Sequence, residues 1–573
     1  MSTTRKAQRA AAAALLLLAA AACGSEGGRT AAVGAGEPGG TPVSGGTAVL
    51  AELSDLGKPL PLVLETALDG NLSDIMYMTL LRGAWDGRLL YLTAEQNPMA
   101  IARSYEYLPP DSTALRYHMR SDLKWSDGEP ITARDVVFTY TALRDPALAA
   151  PRQDYTEHID SVTAQNDSTV TFHFKRRYPE MLFHSGHGIV PAHVYQDADL
   201  ATLRSHPSLT DPSKLVVSGA FKIGRWQPGQ QITLVHNPEF RPEARLERIV
   251  IRVIPEVTTR LVELRTGGVD YLGGVPFDQI PALKASNPEL RFERERNRNY
   301  EYIGYNPKAF EAFADPEIRR ALGMAIDVPG IIQALQMEDF ATPAGGPYPP
   351  IFQTLYDPEK MAPLPHDPER AKQILESKGW VDTNGDGVRD KNGRPLRFSL
   401  LTNAGNARRA DVSLIVQNQW KQIGVDVQLQ SLESNTFFDR LQKKEFTAAL
   451  AGWSVGLSPD LSNVWGPKSA FNFVSYDNPE VTRLMEQALD AKTDAEANPL
   501  WEAAAARMVQ DQPYNWLYYY DTVDAVNNRL RGMKIDTYGP YQNAWEWWIP
   551  RELQRGAAAE QTAAPAESTT TTH

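Results

Sequence analysis

The chain has 573 residues, of which 42% are hydrophobic, and its formal net charge at pH 7 is -12. This length exceeds the roughly 250–300 residues at which a single core stops growing, so two or more lobes are expected. The acidic balance argues against nucleic acid as a partner, because nucleic acid binding requires basic patches. The single cysteine excludes an intramolecular disulfide.

The amino-terminal segment has the pattern of an export signal. Basic residues precede an apolar stretch over residues 10–22, which is too short to span a bilayer and is followed by Cys23. The small residues Ala21 and Ala22 before Cys23 resemble a bacterial lipoprotein signal, in which the cysteine is lipidated and becomes the new amino terminus. A plain secretory peptide over residues 1–22 is the alternative. Both interpretations predict a protein that works outside the cytoplasm.

The segments that flank the expected folded body have compositions typical of flexible chain. Residues 23–46 are rich in Gly, Ala, Thr and Pro and predict a spacer between a lipid anchor and the body. Residues 556–573 predict a disordered tail. No other stretch of the sequence approaches ~18 uninterrupted apolar residues, so lipid on Cys23 would be the sole membrane attachment.

Periodic apolar residues predict strands in the body. Apolar and polar residues alternate over residues 115–119, 170–174 and 425–429, which is the period of half-buried strands. The run over residues 291–298 alternates arginine with glutamate and is predicted to form a solvated strand face.

Helices are predicted where a capping residue precedes an apolar stripe of helical spacing. Asp315, Asp367 and Asn478 are each followed by proline and then by such a stripe. Thr132 and Asp135 form a capping box. Strands and helices that alternate irregularly indicate a mixed α/β fold.

One long stretch carries a family resemblance. Residues 123–140, LKWSDGEPITARDVVFTY, closely resemble a signature of the extracellular solute-binding proteins of family 5, which serve ABC importers of the dipeptide, oligopeptide and nickel type. Further matches keep the family's order along the body at Ser218–Phe221, Asn237–Phe240, Thr266–Asp270, Asp315–Asp327, Gly379–Trp380, Ala451–Trp453 and Ser475–Val481.

The resemblance implies an α/β fold of the periplasmic-binding-protein type II class, a two-lobed clamp with mixed sheets and flanking helices. Lobe I would comprise residues 47–302 and 523–555, with a subdomain inserted at about residues 90–210, and lobe II would comprise residues 303–522. Crossing strands near residues 302–305 and 518–522 would connect the lobes. Closure of the lobes would enclose the ligand and create the form that a permease reads.

The function implied by the resemblance is that of a receptor without a catalytic group, which delivers a peptide or peptide-like ligand to an ABC importer. The permease subunits would lie on other chains, and neither a cofactor nor a metal is expected. The protein would be a monomer in the cell envelope or periplasm. Alternatives are a binder of a neutral or sugar-like solute on the same fold, a scaffold lipoprotein without ligand affinity, and a secreted serine hydrolase.

The resemblance places the ligand at the loop that contains Trp453, Ser454 and Gly456. In peptide-binding members, a carboxylate three residues beyond this tryptophan takes the ligand's ammonium group, because a buried ammonium must be paired. Gly456 occupies that position here, which predicts weak binding of peptides with a free amino group. Asp460 or Glu433 could supply the missing acid if the loop brings either of them to the site.

A second set of candidate ligand residues precedes a predicted helix. Asn406 and Arg408 resemble the place where some members offer an arginine to a ligand carboxylate, a task that suits a guanidinium fork. The alternative is that Arg408 and Arg409 are ordinary solvated residues at a helix start.

Three further motifs are better interpreted as structural features than as functional sites. Residues 452–456 fit G-x-S-x-G, which would make Ser454 a nucleophile, but a histidine is found after them only at His573. His184, His187 and His193 are close in sequence but predict no metal site, because surface or loop histidines are the default.

Residues 382–387 resemble the start of a calcium loop. Position twelve of that loop would be Gly393 instead of glutamate, which favours a structural hairpin.

Overall fold

The computed structural model of the protein describes residues 39–151 and 153–555. Cys23, the predicted signal peptide and the predicted tail lie outside these residues. The end of the predicted spacer contacts the body, because the Gly45 amide donates to the Arg245 carbonyl at 2.8 Å and the Gly46 carbonyl accepts from Glu247 at 3.1 Å. The folded body therefore begins before the predicted residue 47.

The strands include those predicted from alternation, with bounds a few residues wider. They are β1 (Thr47–Glu52), β2 (Arg82–Trp85), β3 (Leu89–Leu92), β4 (Ala102–Leu108), β5 (Ala114–Met119), β6 (Ile159–Asn166), β7 (Thr169–Phe174), β8 (Phe221–Gln227), β9 (Gln231–His236), β10 (Arg248–Val253), β11 (Tyr271–Leu272), β12 (Leu290–Tyr305), β13 (Ala341–Pro343), β14 (Asp390–Lys391), β15 (Arg394–Pro395), β16 (Arg397–Asn403), β17 (Asp426–Leu432), β18 (Ala448–Ser454) and β19 (Tyr514–Asn527).

The helices include those predicted from capping residues. They are α1 (Ala67–Met76), α2 (Ala133–Arg144), α3 (Met181–His184), α4 (Ala192–Tyr195), α5 (Pro207–Thr210), α6 (Val257–Arg265), α7 (Ile280–Ser286), α8 (Pro316–Met324), α9 (Val328–Ala334), α10 (Pro368–Ser377), α11 (Ala407–Lys421), α12 (Ser434–Lys443), α13 (Ser462–Trp465), α14 (Pro479–Asp490) and α15 (Asp494–Asp511). Asp315, Asp367 and Asn478 each accept a hydrogen bond from a backbone amide in the first turn of α8, α10 and α14. These contacts confirm the predicted helix starts.

A large mixed sheet runs through the molecule in the strand order β17-β16-β18-β12-β19-β11-β1-β10-β9-β8, and β13 also pairs with β19. β12 lies antiparallel between β18 and β19. The register of β12 against β19 shifts between Glu295 and Asn299 and again between Glu301 and Tyr302. A separate antiparallel sheet has the order β4-β5-β7-β6.

The buried hydrophobic side chains form clusters that divide along β12 and β19. One cluster collects side chains from residues 48–271 with residues 526–549, and a smaller one collects residues 49–292 with Phe340 and residues 523–525. The two remaining clusters are drawn from residues 300–519. Long strands thus connect two sets of cores, and the cavity described next lies where residues from both sets approach.

The prediction of a solvated face on residues 291–298 is wrong for its first arginine. The side chain of Arg291 is only 2% exposed and its Nε donates to Glu293 Oε1 at 3.1 Å. Arg294 pairs with Asp521 of β19. Arg296 is exposed, as the alternation of charge predicts, whereas Arg291 and Arg294 each have an acid beside them.

Candidate functional site

A cavity of about 640 Å³ opens beside the carboxyl end of β18. One wall comes from the residues just before β6 and from the segment that runs from β7 through α3, and it includes Glu157, His158, Arg176, Glu180 and His184. The facing wall is the loop that follows β18, from Trp453 to Trp465, together with the end of α14. Aromatic side chains complete the lining at Tyr155, Phe183, Tyr300, Tyr348, Phe352 and Phe471.

Trp453 is held in place by other rings. It lies opposite Tyr300 in the β12–β18 ladder, so the two side chains share one face of the sheet. The ring stacks on Phe473 with centroids 5.6 Å apart and an angle of 12°, and it meets Phe471 edge-on at 5.8 Å. This packing fixes an aromatic surface at the cavity with little ordering cost on ligand binding.

The predicted residues Ser454 and Gly456 lie in the same wall as Trp453, and both are exposed. A Cβ atom added to Gly456 would meet only the Ser458 amide nitrogen, at 3.9 Å. The loop therefore leaves space at the position where the family resemblance would place an acid.

Two acids approach each other across this space. The Ser458 hydroxyl donates to Glu180 Oε1. Ser458 Oγ also accepts a hydrogen bond from the Asp460 amide at 3.1 Å. Ser458 thus links Glu180, from the wall before α3, to the loop that carries Asp460. The sequence left Asp460 open as a substitute for the missing acid, but Glu180 was missed, because 276 residues of chain separate it from Gly456 and no local pattern marks it.

Burial and mutual repulsion shift these groups toward their neutral forms. Burial, and then the nearby charge of Asp460, raises the pKa of Glu180 to about 7. Burial also raises the pKa of Asp460. The pKa of His184 falls to about 4, mainly because the ring is buried. Burial and then the charge of Arg176 lower the pKa of His158.

The cavity wall has more carboxyl groups than cations. Among its described residues, five carboxyl groups (Glu157, Glu180, Asp460, Glu486 and Asp490) face one guanidinium, that of Arg176. Arg176 donates to Asp490 Oδ1 at 2.9 Å and to the Leu489 carbonyl, so it is already engaged. The remaining acids give the cavity an acidic field.

Arg408 and Asn406 lie elsewhere. Arg408 Nη2 donates to Glu301 Oε1 at 2.9 Å, and Arg409 Nε donates to Glu301 Oε2 at 2.8 Å. The Glu301 side chain has no exposed surface. Asn406 caps α11 by accepting from the Arg409 amide at 3.0 Å. The cavity that Trp453 lines includes none of these residues.

The two arginines are therefore not solvated helix-start residues either. Their side chains are 24% and 11% exposed, and both are engaged with a buried carboxylate. The other candidate acid, Glu433, caps α12 by accepting from the amides of Asn435 and Thr436, and it is absent from the described lining of the cavity.

The remaining motifs have structural partners. His184, His187 and His193 contact Tyr178, the Pro61 carbonyl and Asp127 respectively. Asp382 accepts from the amides of Gly385 and Gly387, as expected for a turn.

The G-x-S-x-G match lacks the surroundings of a nucleophile. After Ser454 the next helix, α13, begins only at Ser462, and within residues 39–151 and 153–555 no histidine is hydrogen-bonded to Ser454. A strand–turn–helix arrangement and a paired histidine are what a nucleophilic serine requires.

Comparison with known proteins places the chain in a family. The sequence model of the bacterial extracellular solute-binding proteins, family 5 (middle region), matches residues 98–473. The chain belongs to this family. Its fold is the two-lobed α/β clamp of periplasmic binding proteins, and its members act outside the cytoplasm. The family is one of solute-binding proteins, not of enzymes.

Individual relatives differ in the ligands that their names give. The oligopeptide-binding protein AppA of Bacillus subtilis is 29% identical over 443 residues, covering 76% of this chain and 80% of the relative. The structure of AppA from Bacillus subtilis in complex with a nonapeptide has a TM-score of 0.74 at 27% identity and covers 89% of this chain and 100% of that one. The probable deoxycholate-binding periplasmic protein YgiS of Escherichia coli is 26% identical over 463 residues, covering 76% of this chain and 82% of the relative.

Across the two described stretches of the chain, none of the helices combines the length and the apolar character that a membrane crossing needs.

Proposed function

We propose that the protein is the peptide receptor of an ABC importer and that it encloses its ligand in the cavity beside Trp453. The observation that carries this proposal is the cavity itself, which joins an aromatic surface to carboxyl groups that can pair with an amino terminus. The similarity to AppA, whose structure holds a nonapeptide, supports a peptide as the ligand class.

Glu180 and Asp460 reverse the expectation, drawn from Gly456, that peptides with a free amino group bind weakly. A buried ammonium needs a partner, and Glu180 and Asp460 offer two at the same cavity. Peptides with a free amino group are therefore expected to bind, and a neutral or sugar-like solute would leave these acids without a counter-charge.

The two lobes would close on the ligand as the sequence predicted, with boundaries near residues 302–305 and 518–522. Contacts between Ser458 and Glu180 and between Arg176 and Asp490 support this proposal, because each joins residues more than 270 positions apart across the cavity. A permease would read the closed form.

A thermal-shift screen of di- to pentapeptides against their amino-acetylated forms tests the ligand class. A ligand that binds only the folded state raises the melting temperature. At a ligand concentration of 100 times its Kd, the free energy of unfolding rises by about 2.7 kcal/mol. We expect free peptides to stabilise the protein more than acetylated ones. Stabilisation by small oligosaccharides but by no peptide would contradict the proposal.

We further propose that Cys23 carries lipid and that the mature protein is a monomer held at the membrane by this anchor alone. The support is the sequence pattern at residues 10–23 together with the extracytoplasmic family. Cys23→Ser should move the protein from the membrane to the soluble fraction. Membrane association that is unchanged in this variant would contradict the anchor.

A further inference from the structure

We propose that the cavity selects peptides that carry at least two positive charges, such as a free amino terminus followed by lysine or arginine. This inference rests on the proposed peptide-binding function and adds the charge of the ligand to it. It follows from the excess of carboxyl groups over cations in the wall and from the way those groups are distributed.

The acids lie in separate parts of the wall. Ser458 links the Glu180 carboxylate to the backbone amide of Asp460, whereas Glu486 and Asp490 lie on α14 and Glu157 lies on the segment that leads into β6. The described residues contain no group of three or more acids, histidines or cysteines placed to hold one metal ion. A ligand with charges spaced along its length matches this distribution better than a single metal cation does.

One ammonium group would leave two of the five acids without a partner. Arg176 accounts for Asp490, and an amino terminus between Glu180 and Asp460 would still leave Glu157 and Glu486 facing the cavity. Both side chains are exposed at the edge of the cavity, where carboxylates attract further cations through a field that salt weakens. A basic side chain on the ligand would supply the second charge.

The aromatic lining favours the same ligand. Trp453 is half-buried and Phe471 is exposed at the cavity, and the faces of such rings attract ammonium and guanidinium groups. Aliphatic parts of lysine and arginine also pack on rings while their charged ends reach carboxylates. The wall therefore contains both kinds of surface that a basic side chain uses.

The test compares tri-lysine, tri-alanine and amino-acetylated tri-lysine by isothermal titration calorimetry. Tri-lysine should bind at least about 10-fold more tightly than tri-alanine, and added salt should weaken tri-lysine more steeply, because its binding is the more electrostatic. Acetylated tri-lysine should retain part of the gain, because its side chains keep their charge.

Variants separate this charge effect from a general loss of binding. Glu486→Gln keeps the size of a side chain that the amino terminus would not engage, so it should weaken tri-lysine about 3-fold and tri-alanine less, whereas Glu180→Gln should weaken both. Glu311→Gln removes an exposed acid outside the cavity and should change neither affinity.

The outcomes distinguish the two proposals. Equal affinities for tri-lysine and tri-alanine, or equal losses for both in Glu486→Gln, would overturn the charge inference and leave the peptide receptor standing. Failure of every peptide to bind would overturn the peptide function and this inference with it.

Discussion

The two faces of the β12–β18 strand pair differ in whether their carboxylates are paired with cations. On one face, Tyr300 and Trp453 border a cavity whose acids outnumber the cations around them. On the other face, the next pair in the ladder includes Glu301, a fully buried carboxylate that is held by the guanidinium groups of Arg408 and Arg409. A carboxylate matched by fixed cations stabilises the fold, whereas acids left without cations are available for a ligand.

The largest effect is expected on the matched face. Glu301→Gln removes the charge between two guanidinium groups, and an uncompensated buried charge costs ~3–5 kcal/mol. We expect a loss of about 3 kcal/mol in the free energy of unfolding, measured by urea denaturation. Glu486→Gln, which removes an exposed acid from the cavity wall, should stay within ~0.5 kcal/mol of the wild type. Similar values for the two variants would remove the contrast between the faces.

The unmatched face should be sensitive to pH. The pKa of Glu180 lies near 7 in the free protein. A bound ammonium favours the carboxylate, so binding below this pH must expel a proton, and affinity falls as the pH drops through 7. We expect peptides with a free amino group to bind about 10-fold more weakly at pH 6 than at pH 8. Calorimetry at both pH values measures this change, and Glu180→Gln should flatten it; a profile as steep in that variant would assign the titration to another group.

A smaller effect is expected from restoring an acid in the loop. The space beside Gly456 accepts a side chain, and Gly456→Asp would add a carboxylate to the same wall. We expect a gain of about 3-fold in affinity for peptides with a free amino group and none for acetylated peptides, measured by calorimetry. Gly456→Asn is the matched control, since it adds the same volume without charge. Equal gains in both variants would indicate packing instead of charge pairing.

Local signals were enough to predict much of the fold. Aspartate or asparagine before proline marked the starts of α8, α10 and α14, and alternation marked β5 and β7. These features depend on neighbours within a few residues, so the sequence displays them directly.

The site could be predicted only in part, because its chemistry depends on distant segments. Trp453 was found through its family motif and does line the cavity, but Glu180 comes from a segment far away in the chain. Arg408 was predicted to bind a ligand carboxylate, but its guanidinium binds Glu301 instead, and nothing near Arg408 in the sequence indicates that partner. Charge pairing across 107 residues depends on how α11 packs against the sheet, and no pattern within either segment reveals that packing.

Hydrogen exchange with and without a bound peptide tests most directly whether the ligand occupies the face of Trp453. Residues 453–465 should gain protection when tri-lysine is added, because the ligand covers the loop and the closed form buries it. Residues 403–411, at the start of α11 on the face of Glu301, should exchange at the same rate in both states. Protection of residues 403–411 without any change over residues 453–465 would place the ligand on the opposite face and contradict the account.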